Sequence, residues 1–425
     1  MTPSRVAIID GVRTPFLKSW TDFGPFTALD LLNKVISEIV YRIDFPLDLL
    51  DEVITGCVFC PPYYPNIARE SIIALGLPKQ IPGYTLSKAC SSSLQAISSA
   101  TDGIMAGRYR AVIASGSEST SNIPLLYSSR LVNSLMKFQK ARSAWQRLQL
   151  LRKIPFSQLV PRMPKINEYS TGQSMGEHAE EMAKINQISR REQDEYALNS
   201  HQKAAQAQKS GKFDEELVTV YCGTQYEPVR KDNGIRAEAS LDQMAALKPV
   251  FDDKRYGSIT AANASPLTDG ASAVLLMSED LAKSLGLKPK GYIRAHAYAA
   301  LDPRDQMLLG NVYSIPKVLK AAKLKLSEID LVEMHEAFAS QILSTLKVMK
   351  SRKDLQKTET PLGEIDPARF NVNGGSIALG HPFGATACRL VTTCLNELKR
   401  QQKQYGLVAV CAAGGMSGAM ILERE

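Results

Sequence analysis

The chain has 425 residues, too many for one compact core, so two or three domains are expected. Hydrophobic residues make up 44% and charged residues 22%, which excludes a disordered chain, and no apolar run is long enough for a transmembrane helix. The net charge of +8 is concentrated: no acid lies between Glu118 and Glu168, whereas Arg130, Lys137, Lys140, Arg142, Arg147, Arg152, Lys153, Arg162 and Lys165 all do. The remainder is close to neutral, which argues against a surface built to coat nucleic acid. Seven scattered cysteines without a paired framework point to a reducing compartment. Cys57 and Cys60 have no second pair or nearby histidine, so a metal site there is not expected. Met-Thr-Pro-Ser-Arg leads directly into a strand and leaves no room for a signal peptide. A bacterial cytoplasmic protein is expected, with a processed chain of the mitochondrial matrix as the alternative.

In chain order, strand–helix alternation governs the first third. Strands are predicted at 6–10, 53–59, 84–88 and 111–115, with helices at 31–41 and 67–75. A further helix follows Cys90, where Leu94, Ile97, Ala100, Ile104 and Met105 recur at helical spacing. Such alternation implies a mostly parallel sheet with helices on its faces. Residues 119–250 change character: first basic, then helical with mixed charge over 177–210, then irregular up to Lys248-Pro249-Val250-Phe251. The last third repeats the plan, with strands at 329–334 and 370–373, a helix at 384–402, and Tyr405–Gly414 echoing Tyr109–Gly116. The reading is an internal duplication: an N-terminal half at 1–118 continued by 251–282, an inserted loop domain at 119–250, and a C-terminal half at 283–425. The turn at Cys90 is then matched by Gly380-His381-Pro382-Phe383-Gly384, and the two turns should face each other.

Cys90 sits where a strand ends and a helix begins, with Ser91, Ser92 and Ser93 able to cap that helix. A helix N-terminus favours anions, which lowers a thiol pKa and stabilises an oxyanion. A small apolar residue in a tight turn is the alternative for Cys90 taken alone. A cysteine nucleophile needs a base within hydrogen-bond reach, usually histidine. Of five histidines, His335 and His381 lie at strand–turn ends beside small residues, while His178, His201 and His296 look like surface or core positions. Cys411 is a second candidate thiol. Glu336 reads as a helix cap rather than an acid.

These stretches occur in a known order. Val12-Arg13-Thr14-Pro15-Phe16, Cys90 before its helix, Asn263-Ala264-Ser265, His335-Glu336-Ala337-Phe338, Gly380-His381-Pro382 with Gly384, and Cys411 before Gly414-Gly415-Met416 follow one another along the chain. With them the chain resembles the thiolases over nearly its whole length. His335 in place of Asn, together with the basic insertion, further resembles the thiolase subunit of the fatty-acid β-oxidation trifunctional complex. The resemblance implies an α/β fold of duplicated α/β/α/β/α layered halves with an inserted loop domain. It implies that Cys90 attacks the 3-keto carbon of a medium- or long-chain 3-ketoacyl-CoA with His381 as base. Cys411 would protonate the departing acetyl-CoA carbanion and then activate the incoming CoA. His381 and a water held by His335 would form one oxyanion hole, and the backbone N–H groups of Cys90 and Ala413 the other. Ser265 would face the pantetheine arm, and Met175 and Phe338 would line the pocket. No metal or redox cofactor is implied; coenzyme A is a substrate. A homodimeric or tetrameric core and a complex with a hydratase/3-hydroxyacyl-CoA dehydrogenase subunit are also implied. Ala413 stands where many relatives have Gly, and Ser93 replaces a common Gly; Ala413 still donates through its backbone if its φ is negative.

Within the insertion, Ala144, Trp145, Leu148 and Leu151 share a helical face, with Gln146, Gln149 and Lys153 opposite. Basic residues flanking a Trp/Leu face over 128–165 suit an anionic lipid surface; packing on a partner subunit or as a lid on the body stays equally open. Rival readings are an acetoacetyl-CoA thiolase working in the biosynthetic direction, a condensing enzyme acting on acyl-carrier protein, and a non-catalytic membrane-bound scaffold. Cys411 weighs against the condensing enzyme, which needs no second thiol.

Overall fold

The computed structural model describes residues 5–425 except 153, 162–163, 165–166, 253–255 and 352–360. The first half runs β1 (Val6–Arg13), β2 (Leu17–Lys18), α1 (Ala28–Ile43), β3 (Leu50–Gly56), α2 (Ile67–Ala74), β4 (Gly83–Leu86), α3 (Ser92–Met105) and β5 (Ala111–Glu118). After α4 (Ser129–Lys140) and α5 (Ala144–Arg152) come α6 (Met175–Ile185), α7 (Arg190–Lys209), the hairpin β6 (Val220–Cys222) and β7 (Glu227–Val229), and α8 (Leu241–Ala245). The chain returns through β8 (Thr268–Ser278) and α9 (Glu279–Ser284). The second half runs β9 (Gly291–Ala300), α10 (Asn311–Ala322), β10 (Leu331–Met334), α11 (Ala339–Ser351), α12 (Ser376–Leu379), α13 (Thr386–Gln401), β11 (Tyr405–Ala412) and β12 (Met416–Glu423).

The sheet order is β10-β11-β12-β9-β1-β8-β5-β3-β4, and its two ends follow one rule. In the first half β3 runs parallel to β4 and β5, and β8 is antiparallel to β5 and β1. In the second, β10 runs parallel to β11, and β12 is antiparallel to β11 and β9. The halves join where Val6, Ala7 and Ile8 of β1 pair with Ile293, Tyr292 and Gly291 of β9. The strand expected at 370–373, the counterpart of β4, reduces to a single bridge from Phe370 to Val332. Asn371, with φ +41°, turns the chain away there, and its side chain bonds the backbone of Met334 in both directions, at 2.8 and 3.0 Å.

Burial sorts the helices into layers. Leu31, Leu32, Val35, Ile36 and Ile39 of α1 and Ile67, Ala68 and Ile72 of α2 cover one outer face. Val312, Ile315, Val318 and Leu319 of α10 and Ile342, Val348 and Met349 of α11 cover the other. Between the half-sheets lie α3, through Leu94, Ile97, Ala100 and Ile104, and α13, through Leu390, Val391, Cys394, Leu395 and Leu398. Both helices are buried on nearly every side, and the backbone N–H of Cys388 in α13 donates to Ser93 Oγ in α3 at 3.2 Å.

One buried charge ties the segment after α7 to this frame. Arg13 is fully buried at the end of β1; its Nε donates to Glu216 at 2.7 Å, and Nη1 and Nη2 donate to the two oxygens of Asp232 at 2.7 and 3.0 Å. Residues 123–166 form a separate compact unit. Within it the hydroxyl of Ser128 caps α4 by accepting from Leu131 N, and the Arg147 guanidinium sits 5.7 Å from the Phe138 ring centroid. Among the described residues no helix is long and apolar enough to cross a membrane.

Replacing Arg13 by Leu leaves two carboxylates buried without their counter-ion. Such a change should cost about 3–5 kcal/mol, read as a lower urea midpoint; an unchanged midpoint would show that the pair contributes nothing net.

Candidate active site

The site is built at the seam between the halves, where the turns before α3 and α13 meet. Ala89, immediately before Cys90, has φ +49°, a left-handed conformation that an alanine adopts only under constraint from its surroundings. The serines supply that constraint. Ser91 Oγ donates to Lys88 O at 2.9 Å, and Ser92 Oγ donates to Ala89 O at 2.6 Å while accepting from Lys88 N at 2.8 Å. Helix capping was the expected role, but Ser91 at the N-cap makes no capping bond. The hydroxyls bend the strand into an elbow that presents the thiol.

From the other half, the His381 turn nests against the ends of β3 and β5. A Cβ on Gly384 would lie 2.5 Å from Gly56 O and 2.7 Å from Ser117 O, so only glycine permits this approach. The buried carboxylate of Glu118 closes the joint, accepting from Val58 N, Phe59 N and Gly384 N at 3.1, 2.9 and 3.0 Å. The Cys57 thiol also donates to it at 3.7 Å; Cys57 lies just past β3 rather than inside a strand. Burial pushes the Glu118 carboxyl up to about 7 against the pull of those N–H donors.

Cys90, His335 and His381 converge, with Sγ and one nitrogen of each ring all within 4.8 Å of one another. The two imidazoles stack at 3.9 Å between centroids. The Nδ1 of His335 is hydrogen-bonded with Ser376 Oγ at 2.8 Å and that of His381 with Thr386 Oγ1 at 2.6 Å. Both Nε2 atoms are buried without a partner. Burial, then the nearby Arg389 guanidinium, lowers His381 to about 3, and burial with His381 and Arg389 carries His335 well below its usual value. Both rings are therefore neutral at pH 7. Cys90 remains half-buried, and burial raises its thiol to about 12, although the N–H groups of Ala413 and of Cys90 itself pull the other way. A lowered thiol pKa was the expectation at this helix start; desolvation wins. Cys411, at the end of β11, is fully buried, and burial together with the adjacent Cys90 raises its thiol too. Thiol and imidazole donors at this spacing also match the ligand preferences of a soft divalent ion, once the thiol is deprotonated.

Around the centre, the segment 263–267 threads between the two histidine loops. Ser265 N donates to Ala337 O at 3.0 Å, Ala264 bridges Phe338, and Leu267 bridges His381. Ser265 is half-buried. Met175 and Phe338 belong to one apolar cluster with Cys411, and Phe251 meets Phe338 edge-on at 6.1 Å. Ala413 is not among the residues with positive φ; Gly414 and Gly415 after it are, at +78° and +67°. Glu336 does not cap α11, the helix that follows it. Its carboxylate accepts from Tyr196, Ser200, Asn371 and the backbone of Ile377, joining α7 to the 371–377 loop. His178, His201 and His296 lie elsewhere, paired with Thr171, Arg236 N and Asp102. Glu118, Ser376, Thr386 and Arg389 escaped the sequence reading. The one signal for them was a hydroxyl five residues to either side of His381.

The architecture and the site define a class: two matched α/β halves that share one site, with a cysteine thiol, two neutral histidines and a second thiol at the seam. The chain belongs to the thiolase family; the thiolase N-terminal domain matches residues 6–280 and the C-terminal domain residues 287–424. It is 45% identical to a 3-ketoacyl-CoA thiolase of Cronobacter sakazakii, covering 99% of this chain and 97% of the relative. Against a 3-ketoacyl-CoA thiolase of Escherichia coli it is 44% identical with the same coverage. Among solved structures it resembles an acetyl-CoA acetyltransferase of Bacillus anthracis (31% identity, TM-score 0.86, 99% of each chain). It also resembles human mitochondrial 3-ketoacyl-CoA thiolase (29% identity, TM-score 0.85, 100% of this chain and 99% of that one), a protein also solved in complex with CoA.

With the thiol at about 12, alkylation of Cys90 by iodoacetamide in the free protein should be slow at pH 7 and rise roughly tenfold per pH unit to pH 10, since only the thiolate reacts. Peptide mass spectrometry would follow the modified site. A plateau already reached near pH 7 would reveal a preformed thiolate and overturn the neutral resting state.

Proposed function

We propose that this chain cleaves 3-ketoacyl-CoA thiolytically, yielding acetyl-CoA and an acyl-CoA two carbons shorter, in fatty-acid degradation. The observation that carries the reading is the convergence of the Cys90 thiol with the rings of His335 and His381, whose Nε2 atoms are buried without a partner, beside a second buried thiol.

The nucleophile is activated within the reaction rather than at rest, because thiol and imidazole are both neutral beforehand. As Cys90 Sγ bonds to the 3-keto carbon, its proton passes to His381 Nε2. The C2–C3 bond breaks, its electron pair stays on C2 as the acetyl-CoA carbanion, and the Cys411 thiol protonates that carbon. The Cys411 thiolate then takes the proton of the incoming CoA thiol, the CoA sulphur displaces Cys90 from the acyl group, and the departing Cys90 sulphur takes its proton back from His381. The 3-keto oxygen is stabilised in one oxyanion hole and the acetyl-CoA enolate oxygen in the other. His381 and His335 (the latter through a water) form one hole, and the N–H groups of Cys90 and Ala413 form the other. Removing one such donor typically costs about 3–4 kcal/mol of transition-state stabilisation. The dry surroundings that raise both thiols also strengthen those donors. Ser265 faces the pantetheine arm, and Met175 and Phe338 wall the acyl pocket. Coenzyme A enters as a substrate, and no metal or redox group takes part in this sequence.

In the same reading the chain works in the cytoplasm as a dimer or tetramer, its halves at 1–118 with 251–282 and at 283–425, with the inserted loop domain 119–250. It associates with a hydratase/3-hydroxyacyl-CoA dehydrogenase subunit, and its basic segment rests on an anionic lipid surface. What supports the last point is exposure: Val132, Leu135 and Met136 of α4, Trp145, Leu148 and Leu151 of α5, and Phe156 are all exposed, with Arg130, Lys137, Lys140, Arg142, Arg147 and Arg152 among them. Lys153, Arg162 and Lys165, also part of that expectation, lie outside the described residues.

CoA-dependent loss of the Mg²⁺-enolate absorbance should be fast with 3-ketohexadecanoyl-CoA, slower with acetoacetyl-CoA, and absent in Cys90→Ala. Turnover of acetoacetyl-CoA alone would replace this reading with a short-chain thiolase. Failure on both, with activity on malonyl-carrier protein, would replace it with a condensing enzyme. In a Trp20→Phe background, Trp145 emission should shift to the blue on adding anionic vesicles and not zwitterionic ones; identical spectra would refute lipid contact.

A further inference from the structure

Two buried hydroxyls beneath the stacked histidines differ in what else they touch. Ser376 Oγ receives Nη2 of Arg389 at 3.0 Å. A guanidinium has no acceptor, so the serine oxygen must accept from it. Among the described residues the serine hydrogen then has one partner within reach, Nδ1 of His335 at 2.8 Å. Donation there leaves the ring proton of neutral His335 on Nε2. Thr386 is the reverse case. Its hydroxyl is placed to donate to Pro382 O, the carbonyl four residues back, at 3.0 Å, and with its hydrogen there Thr386 Oγ1 accepts from Nδ1–H of His381 at 2.6 Å. The Nε2 of His381 is left with its lone pair.

We infer that Ser376, held by the buried Arg389, is a positioning residue that sets His335 as an Nε2–H donor, while Thr386 sets its stacked neighbour His381 as an Nε2 acceptor. Two hydrogen-bonded chains of opposite polarity thus end side by side at the substrate. One starts at an obligatory donor, the Arg389 guanidinium, and delivers a proton-bearing nitrogen. The other ends at an obligatory acceptor, the Pro382 carbonyl, and leaves a basic nitrogen. The arrangement suits rings only 3.9 Å apart, because the two nitrogens need opposite roles: His381 receives the Cys90 proton, and His335 donates toward the oxyanion. Arg389 is fully buried, with Nη1 3.9 Å from Glu333 Oε2. The Thr386 arm also reaches the elbow, since α13 starts at Thr386 and its Cys388 N–H rests on Ser93. The inference rests on the acyl-transfer reading for the purpose of the two nitrogens but not for their protonation.

The test uses the full-length protein labelled with ¹⁵N-histidine, its five histidines assigned by comparison with His335→Asn and His381→Asn. The imidazole nitrogen shifts should place the proton on Nε2 in His335 and on Nδ1 in His381. In Ser376→Ala the His335 pattern should move toward the other tautomer while that of His381 stays. The same variant should lose about a hundredfold in kcat with KM within about twofold, as for one lost oxyanion donor, and Ser376→Thr should restore most of it. A proton on Nδ1 of His335 in the unmodified protein overturns the inference, and so does Ser376→Ala with unreduced kcat. If Ser376→Ala fails to fold, the spectrum of the unmodified protein and the activity of Ser376→Thr still decide. An unmodified protein that turns over no 3-ketoacyl-CoA refutes the acyl-transfer reading alone, since the nitrogen shifts report the tautomers without substrate.

Discussion

The structure depends on burying two helices between two half-sheets. Both α3 and α13 are buried on nearly every side, packing one apolar stripe into the shared core through Leu94, Ile97 and Ile104 in one and Leu390, Val391, Leu395 and Leu398 in the other. In that middle layer the apolar stripes leave water, while the polar side of α13, with Arg389, Thr393 and Glu397, is buried against other segments. Placing both there brings the turns that precede them together, because Ser93 in the first turn of α3 contacts Cys388 in the first turn of α13. Cys90 and His381 sit on those turns, and the ends of β10 and β11 bring His335 and Cys411 beside them. The site is a consequence of the layer, and the close fit of Gly384 between the ends of β3 and β5 seals it.

Dryness then decides the electrostatics. A helix start and two backbone N–H donors would ordinarily favour a thiolate at Cys90, yet burial outweighs them and leaves the thiol neutral. The same burial, with Arg389 nearby, holds His381 and His335 neutral. In the proposed reaction, a neutral pair avoids stabilising charge in the ground state, so the oxyanion donors would act only where charge develops. Glu118 carries the complementary cost: a buried carboxyl near 7 is retained because it accepts from three backbone groups drawn from both halves.

The serines after Cys90 show how a correct identification of residue type can carry the wrong role. Ser, Thr and Asn compete with the backbone for local hydrogen bonds, and at this position they bond back to Lys88 and Ala89 instead of forward into the helix. That back-bonding sustains the left-handed Ala89 and so the projection of the thiol. Glu336 is a parallel case, placed beside a reactive histidine yet saturated by four donors from α7 and the 371–377 loop.

Much of this was legible in the order of residues. Alternating apolar runs and turn signals specified strands and covering helices, because periodicity of burial is written locally. They did not specify the pairing: the sheet expected to be mostly parallel is mixed, parallel at β3–β4, β3–β5 and β10–β11 and antiparallel at its other pairs among the described residues. The echo of Tyr109–Gly116 in Tyr405–Gly414 disclosed the duplication, and Cys90, His335, His381 and Cys411 stood out because reactive side chains beside small residues are rare. Non-local facts were hidden. The strand expected at 370–373 was lost to a left-handed Asn371 whose side chain is held by Met334. The protonation of Cys90 depends on how completely water is excluded by segments hundreds of residues away. The partners of Ser376 and Thr386, which distinguish two chemically identical imidazoles, follow from where Arg389 and Pro382 come to lie. Sequence determined which groups could react; the tertiary structure alone decided which of them hold protons, because that depends on desolvation and on the polarity of hydrogen-bond chains, and both are properties of a packed site.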